Sequence, residues 1–242
     1  MDNLTISAAS GMQARLESLD MIANNLANSQ TGGYKTDREF YNLYVSPEAS
    51  GVDGSPNELP VIERSWTDFS QGELRPTGNP LDLGLSGKGF FAVSGPSGTL
   101  FTRNGSFHVS PAGTLVTQEG YAVRTVSGRK LQIQPSAAVD ISPDGTVTQN
   151  GQPLGRIQIG DFADTGALVK QGASYYRSDA AAQAAQGTQI EQGKLETSNV
   201  GVAESSVRLV DVMRQFEMLE KAAMLGTEMN RESIEQVGRV AS

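Results

Sequence analysis

A chain of 242 residues with 38% apolar side chains is long enough for one large domain or two modest ones, yet lean in core material, so part of its order is expected to depend on neighbours. Its net charge of −8, with no run of Lys and Arg that could follow a phosphate backbone, excludes nucleic acid and an anionic membrane surface as partners. The absence of cysteine excludes disulfides, thiolate metal sites and a cysteine nucleophile.

The opening Met1-Asp2-Asn3-Leu4 has no basic residue before Arg15 and no apolar run of signal-peptide length. Nothing downstream approaches the roughly 20 apolar residues of a membrane span, so no direct membrane insertion is expected. These absences point to the cytoplasm unless a dedicated export route carries the chain. From Ala9 onward, Ala9, Met12, Leu16, Leu19, Ala23 and Leu26 recur at steps of three and four, which keeps an apolar seam on one face of a helix. That helix is expected from about Asn3 to Asn28, ending near Gly32-Gly33. An isolated helix of this kind is marginal in water, because nucleation is costly and its apolar face needs a partner.

Between Tyr34 and Pro60 the periodicity dissolves into aromatic residues, Phe40, Tyr41 and Tyr44, and then into Ser, Pro, Gly and Asp. The aromatic group reads as a strand or short helix covering the β-rich part, with a contact patch for a neighbour as the other reading. From Val61 to Tyr176, short β-branched and aromatic segments alternate with turn signals. Asn104-Gly105 predicts a type I′ hairpin, and Pro111-Ala112-Gly113, Glu119-Gly120, Pro143-Asp144-Gly145 and Asn150-Gly151 predict further corners. An internal echo, 109–120 against 141–151, reads as two related hairpins rather than a solenoid. The stretch from Ala180 to Gly193, rich in Ala, Gln and Gly, reads as a solvated connector.

The second helix is expected to open at Gly201, a weak cap, with Glu204 at the positive end of the helix dipole. Leu209, Val212, Phe216, Leu219 and Ala223 repeat the seam spacing, which continues through Gly226, Asn230 and Ser233 to Val237 and Val240 with few apolar groups. The economical partner of each terminal seam is the other terminus or a neighbouring subunit. The expected class is therefore α+β, with long terminal helices forming a coiled-coil-like inner domain around a mostly antiparallel β domain. Its segments are 1–33 (first helix), 34–78 (connecting arm), 79–178 (β domain), 179–200 (linker) and 201–242 (second helix).

Convergent chemistry is missing. His108, the single histidine, alternates within a predicted strand, as an ordinary strand histidine does. Gly84 to Gly89 has the wrong spacing for a Walker loop, with Gly89 where Ser or Thr is needed, and reads as a turn before Phe90-Phe91. Asp53, Glu58, Glu63, Asp68 and Glu73 are spread along a loop-rich stretch, and Asp140, Asp144 and Asp161 flank turns, without a calcium-loop pattern. No catalytic residue, metal site, cofactor or small-molecule substrate is assigned.

Three blocks carry a resemblance. The first is Ile22-Ala23-Asn24-Asn25-Leu26-Ala27-Asn28 with Thr31-Gly32-Gly33-Tyr34-Lys35. The second runs from Asn79-Pro80-Leu81-Asp82 through Gly87-Lys88-Gly89-Phe90-Phe91 and Thr102-Arg103-Asn104-Gly105-Ser106-Phe107 to Gly113-Thr114-Leu115-Val116-Thr117. The third is Gly193-Lys194-Leu195-Glu196-Thr197-Ser198-Asn199-Val200. In this order they resemble the signatures of the bacterial flagellar axial proteins of rod and hook, and the modest length is more similar to a basal-body rod protein. The opening residues and Arg214-Gln215-Phe216-Glu217-Met218 look more like members of the proximal than of the distal rod. Gly33 departs from the pattern, where members often carry another residue before the aromatic position.

The resemblance implies terminal helices forming an inner tube, a β domain outside it, and export through the flagellar type III apparatus without a cleavable signal peptide. It also implies a place in the periplasmic rod of the basal body, with copies of itself and other rod proteins as partners. The interface residues that follow are Met12, Leu16, Leu19, Ala23, Leu26, Leu209, Val212, Phe216, Leu219 and Ala223. Asn24, Asn25, Leu26, Ala27, Asn28, Ser198, Asn199 and Val200 are carried as signature positions. The other reading is a soluble binding module whose β domain recognises a ligand and whose helices dimerise it.

Overall fold

The computed structural model describes residues 3–45, 58–134, 137–172 and 174–240. The chain divides into a helical unit, Met1–Ala27, Asp37–Thr67 and Gly201–Ser242, and a β unit, Asn28–Thr36 and Asp68–Val200. Helices and antiparallel sheets together make the fold α+β.

In the helical unit, α1 (Asn3–Ala27) packs along α2 (Val202–Val240) and against the hairpin of β1 (Asp37–Val45) and β2 (Glu58–Thr67). The register from Asp37↔Thr67 to Val45↔Glu58 is broken by a bulge between Phe40 and Tyr41. Phe40, Tyr41 and Tyr44 therefore lie on a strand, while their side chains fall outside the described residues. The buried face of α1 is Ala8, Gly11, Ala14, Ser18, Ile22 and Asn25, about one position from the stripe expected from the large apolar residues. Small residues win this face because they let the other helix come close. A Cβ on Gly11 would stand 3.1 Å from Cδ1 of Leu219.

The β unit runs through β3 (Leu74–Pro76), β4 (Leu83–Ser86), β5 (Phe90–Gly95), β6 (Gly98–Thr102), β7 (Phe107–Val109), β8 (Leu115–Thr117) and β9 (Ala122–Val123). It continues through β10 (Val139–Ile141), β11 (Thr146–Gln149), β12 (Gln152–Arg156), β13 (Ile159–Asp161), β14 (Val169–Gln171) and β15 (Tyr175–Arg177). β16 (Gln183–Ala184), β17 (Gln189–Gln192) and β18 (Lys194–Glu196) close it. The main sheet has the order β14-β15-β6-β5-β9-β8-β7, with β13 bridging β5 and β16; β10-β11-β12 form another sheet, and β17 and β18 return to β4 and β3. β5 is buried on both faces, which accounts for its unbroken apolar run. Phe91 and Val93 join Leu83, Phe107, Val123 and Ile190 in one core, whereas Phe90 and Ala92 join Phe101, Phe162 and Tyr176 in another.

Several turns differ from expectation. Asn104-Gly105 does not close a hairpin, since β6 pairs with β5 and β15 while β7 pairs with β8. Gly105 is there for close approach: a Cβ would lie 1.7 Å from the Leu83 carbonyl oxygen, and the Leu83 amide donates to the Gly105 carbonyl at 3.0 Å. The two-residue turn with positive φ at both positions is Asn150-Gly151, at 53° and 74°, between β11 and β12. The echo is real in three dimensions. Ser110 and Ser142 head identical turns, bonded Ser110 N to Thr114 O and Ser142 N to Thr146 O, and Gly113 and Gly145 both accept from an isoleucine amide, of Ile133 and Ile157.

The segment 179–200, expected as a linker, instead supplies β16, β17 and β18. Its polar composition conceals this because glutamine serves the backbone here. The Gln192 side chain donates to the Pro80 and Val139 carbonyls at 2.8 and 2.9 Å and accepts from the Ile141 amide at 3.1 Å, while Ile190 fills the core. Likewise 34–78 is no simple arm: Asp37–Thr67 belongs to the helical unit, and the residues on either side of it to the β unit.

Candidate assembly surface

α2 is amphipathic twice over. Val212 and Gly226 are buried, and Leu209, Phe216, Leu219 and Ala223 half-buried, along one stripe. Elsewhere on the helix, Val207, Met218, Leu225 and Met229 are 64, 60, 64 and 65% exposed, with Val210, Met213 and Met224 exposed beside them. A 3.6-residue period sets Val207, Met218 and Leu225 well round the helix from the buried stripe and Met213, Met224 and Met229 on its flanks, with Arg214, Lys221 and Glu228 directly opposite the stripe. Apolar groups this far beyond the buried stripe give the helix surface for further partners. On α1, Met12, Leu19 and Leu26 are half-buried and Ala23 exposed, and Leu16 is 49% exposed. The side chains of Asn230, Ser233, Val237 and Val240 fall outside the described residues.

The signature residues do structural work close to the unit boundaries. Asn25 clasps the end of α1 to the start of β1: its Nδ2 donates to the Asp37 carbonyl at 2.8 Å, and its Oδ1 accepts from the Asp37 amide at 3.0 Å. Glu39, buried in the same unit, is ion-paired with Arg208 of α2. Asn28 accepts from the Thr31 hydroxyl at 3.2 Å, and the Ser198 hydroxyl accepts from the amide of buried Val200 at 3.2 Å. Leu26 is half-buried, while Ala27 and Asn24 are exposed. Asn199 ties distant segments of the β unit together. Its Oδ1 accepts from the Thr36 amide and hydroxyl, both at 2.8 Å, and its Nδ2 donates to the Asp68 and Ser70 carbonyls at 2.8 and 3.1 Å.

Beside Asn199 lies a cluster that sequence reasoning did not assemble. Lys35 Nζ donates to Glu196 Oε1 and to the Ser70 carbonyl, each at 2.6 Å; Arg103 Nη1 donates to Glu196 Oε2 at 3.1 Å and Nη2 to the Gly87 carbonyl at 2.7 Å. The Gly72 amide adds a third donor to Glu196 at 3.0 Å. Lys35 and Glu196 side chains are wholly buried and that of Arg103 is nearly so. Burial pushes the Lys35 ammonium below its usual 10.5, and the facing Glu196 carboxylate opposes that shift. The available signal was that each of the three resemblance blocks holds one of these charges. Gly33 is part of the same arrangement, with φ of 66° and a would-be Cβ only 2.3 Å from the Asn104 amide nitrogen.

His108 is exposed on β7 and Gly84 to Gly89 form the end of β4 and the turn into β5. Asp53 and the side chains of Glu58 and Glu63 lie outside the described residues. Among the described residues no group of His, Asp and Glu could hold a metal ion, and no helix is long and apolar enough to cross a membrane. The β unit carries open surface hollows of about 290, 380 and 480 Å³.

Family profiles match along the chain: "Flagella basal body rod protein" over residues 7–35, "Flagellar hook protein FlgE/F/G D1 domain" over 84–149, and "Flagellar basal body rod FlgEFG protein C-terminal" over 191–234. The chain is 32% identical to flagellar basal-body rod protein FlgF of Caulobacter vibrioides, over 99% of its own length and 100% of that relative. It is 31% identical to flagellar basal-body rod protein FlgG of Bacillus subtilis, over 94% of this chain and 96% of the relative. With FlgF of Mesorhizobium japonicum the identity is 29%, over 96% of each.

Proposed function

The chain belongs to the family of flagellar basal-body rod proteins, and from that membership we propose that it assembles helically through its terminal helices into the axial drive shaft needed for motility. As a member of that family it is a structural protein of the basal body, not an enzyme, and works alongside other rod proteins. In the proposed shaft, α1 and α2 of one subunit form a coiled-coil-like pair, and their remaining apolar faces are covered by neighbours. The contact is head-to-tail, so it propagates instead of closing on itself. Torque passes through many such contacts, the β unit spacing and stiffening the outside. The chain reaches the periplasm unfolded through the flagellar type III apparatus; having no cysteine, it runs no risk of wrong disulfides there.

The observation that carries this reading is the outward apolar face of α2, with Val207, Met218, Leu225 and Met229 each at least 60% exposed. So long an exposed stripe on a soluble monomer is a liability unless something covers it. Met12, Leu16, Leu19, Ala23 and Leu26 on α1 and Leu209, Val212, Phe216, Leu219 and Ala223 on α2 complete the proposed interface. Met218→Asp and Leu225→Asp place a charge on a face already in water, so the purified variants should fold normally. Neither should enter basal bodies or support swimming, because burying an unpaired charge in the assembled rod costs several kcal/mol. Full motility in both variants would overturn the proposal.

A further inference from the structure

We propose that Glu196 acts as the closing residue of the β unit, which stays open until the segment bearing this residue has been delivered to Lys35 and Arg103. Three separated stretches meet at one carboxylate. Lys35 and Glu196 are 161 positions apart, and Arg103 and Glu196 are 93 apart. The same segment supplies β17 and β18, which complete β4 and β3, and places Ile190 in the core. Its backbone is tied in as well: the Ile190 amide donates to Pro143, Gly193 to Asp82 and Thr197 to Glu73, and the Glu196 carbonyl accepts from Gly33.

Without this segment, closing the remaining strands would bury an ammonium and a guanidinium with no anion between them. Desolvating two like charges gathered around one site is far costlier than leaving them in water. Asp68, the other acid acting on Lys35, contributes less than Glu196 does. The gate is therefore electrostatic and sits at the late end of the unit. Every nascent chain emerges amino terminus first, so Lys35 and Arg103 wait for Glu196. If the chain also travels unfolded through an export channel, which rests on the function proposed above, the same wait keeps the β unit open in transit. The folding gate itself does not depend on assembly, so its failure and that of the rod reading would be told apart.

Hydrogen exchange on the intact wild-type chain tests it. The amides of Ile190, Gly193 and Thr197 should exchange through the same opening as Ala92 and Arg124 in the core, with equal protection and an equal denaturant slope. Rapid exchange of the former through a local opening, while Ala92 and Arg124 stay protected, would show a unit that closes without the segment and would overturn the proposal. In the full-length chain, Glu196→Ala should speed exchange at Ala92 and Arg124 by about 100-fold or more, or leave the β unit unfolded. The triple change Lys35→Met, Arg103→Met, Glu196→Leu should restore protection to within about tenfold of wild type, since it removes the charges together. Wild-type protection in Glu196→Ala, or no recovery in the triple variant, counts against an electrostatic gate.

Discussion

Gly33 shows how a single backbone position can be dictated from far along the chain. Its φ of 66° and the Asn104 amide 2.3 Å from a would-be Cβ leave no room for any side chain. Gly33→Ala is expected to cost at least about 1–3 kcal/mol, read as a lower denaturation midpoint of the β unit with an unchanged slope. The sequence marks Gly33 as part of the Gly32-Gly33 helix stop and as a departure from the resemblance, but nothing local reveals which backbone passes beside it. Asp144 is the opposite case, since its turn chemistry is legible in Pro143-Asp144-Gly145. Its carboxylate accepts from the Thr146 hydroxyl at 2.7 Å and amide at 3.1 Å, and these bonds hold it below the usual 3.8. A carboxyl lowered by folding stabilises the native state above its unfolded value and loses that contribution as pH falls through the lowered one. The Thr146 amide resonance should therefore titrate with a midpoint below 3.8, and Asp144→Asn should abolish that titration.

Among elements, the terminal helices were readable as helices because apolar spacing survives in the sequence whatever the partner. α1 was expected to end by Asn28 and ends at Ala27, and α2 begins at Val202, next to the expected Gly201. Which stripe of α1 meets α2 was not readable. Large residues dominate the periodic pattern, whereas Ala8, Gly11, Ala14 and Ser18 are the buried positions, with Gly11 lying against the Leu219 side chain. Val212 is the buried centre of the facing stripe on α2. Val212→Asp should accordingly raise exchange throughout α1 and α2, by a penalty of several kcal/mol, while amides of β5 and β9 keep their protection. Equal loss in both sets would show that the units do not open separately. The strands of residues 179–200 are hidden for a related reason: a glutamine such as Gln192, bonded to backbone carbonyls, looks like a solvated residue until its acceptors are known.

For the molecule as a whole, the chain passes between its two units several times, so neither is a contiguous stretch of sequence. The sequence by itself determined the periodic elements, the antiparallel character of the middle and, through its three motif blocks, the membership of the flagellar rod family. Each of these follows from local spacing, composition or contiguous motifs. Only the tertiary structure decided that β17 and β18 complete the β unit, that small residues form the packed face of α1, and that α2 keeps a second apolar face exposed. It alone brought Lys35, Arg103 and Glu196 together. The physical reason is that a buried charge must find its compensation in space, and no pattern of neighbours along a chain can state which distant residue provides it.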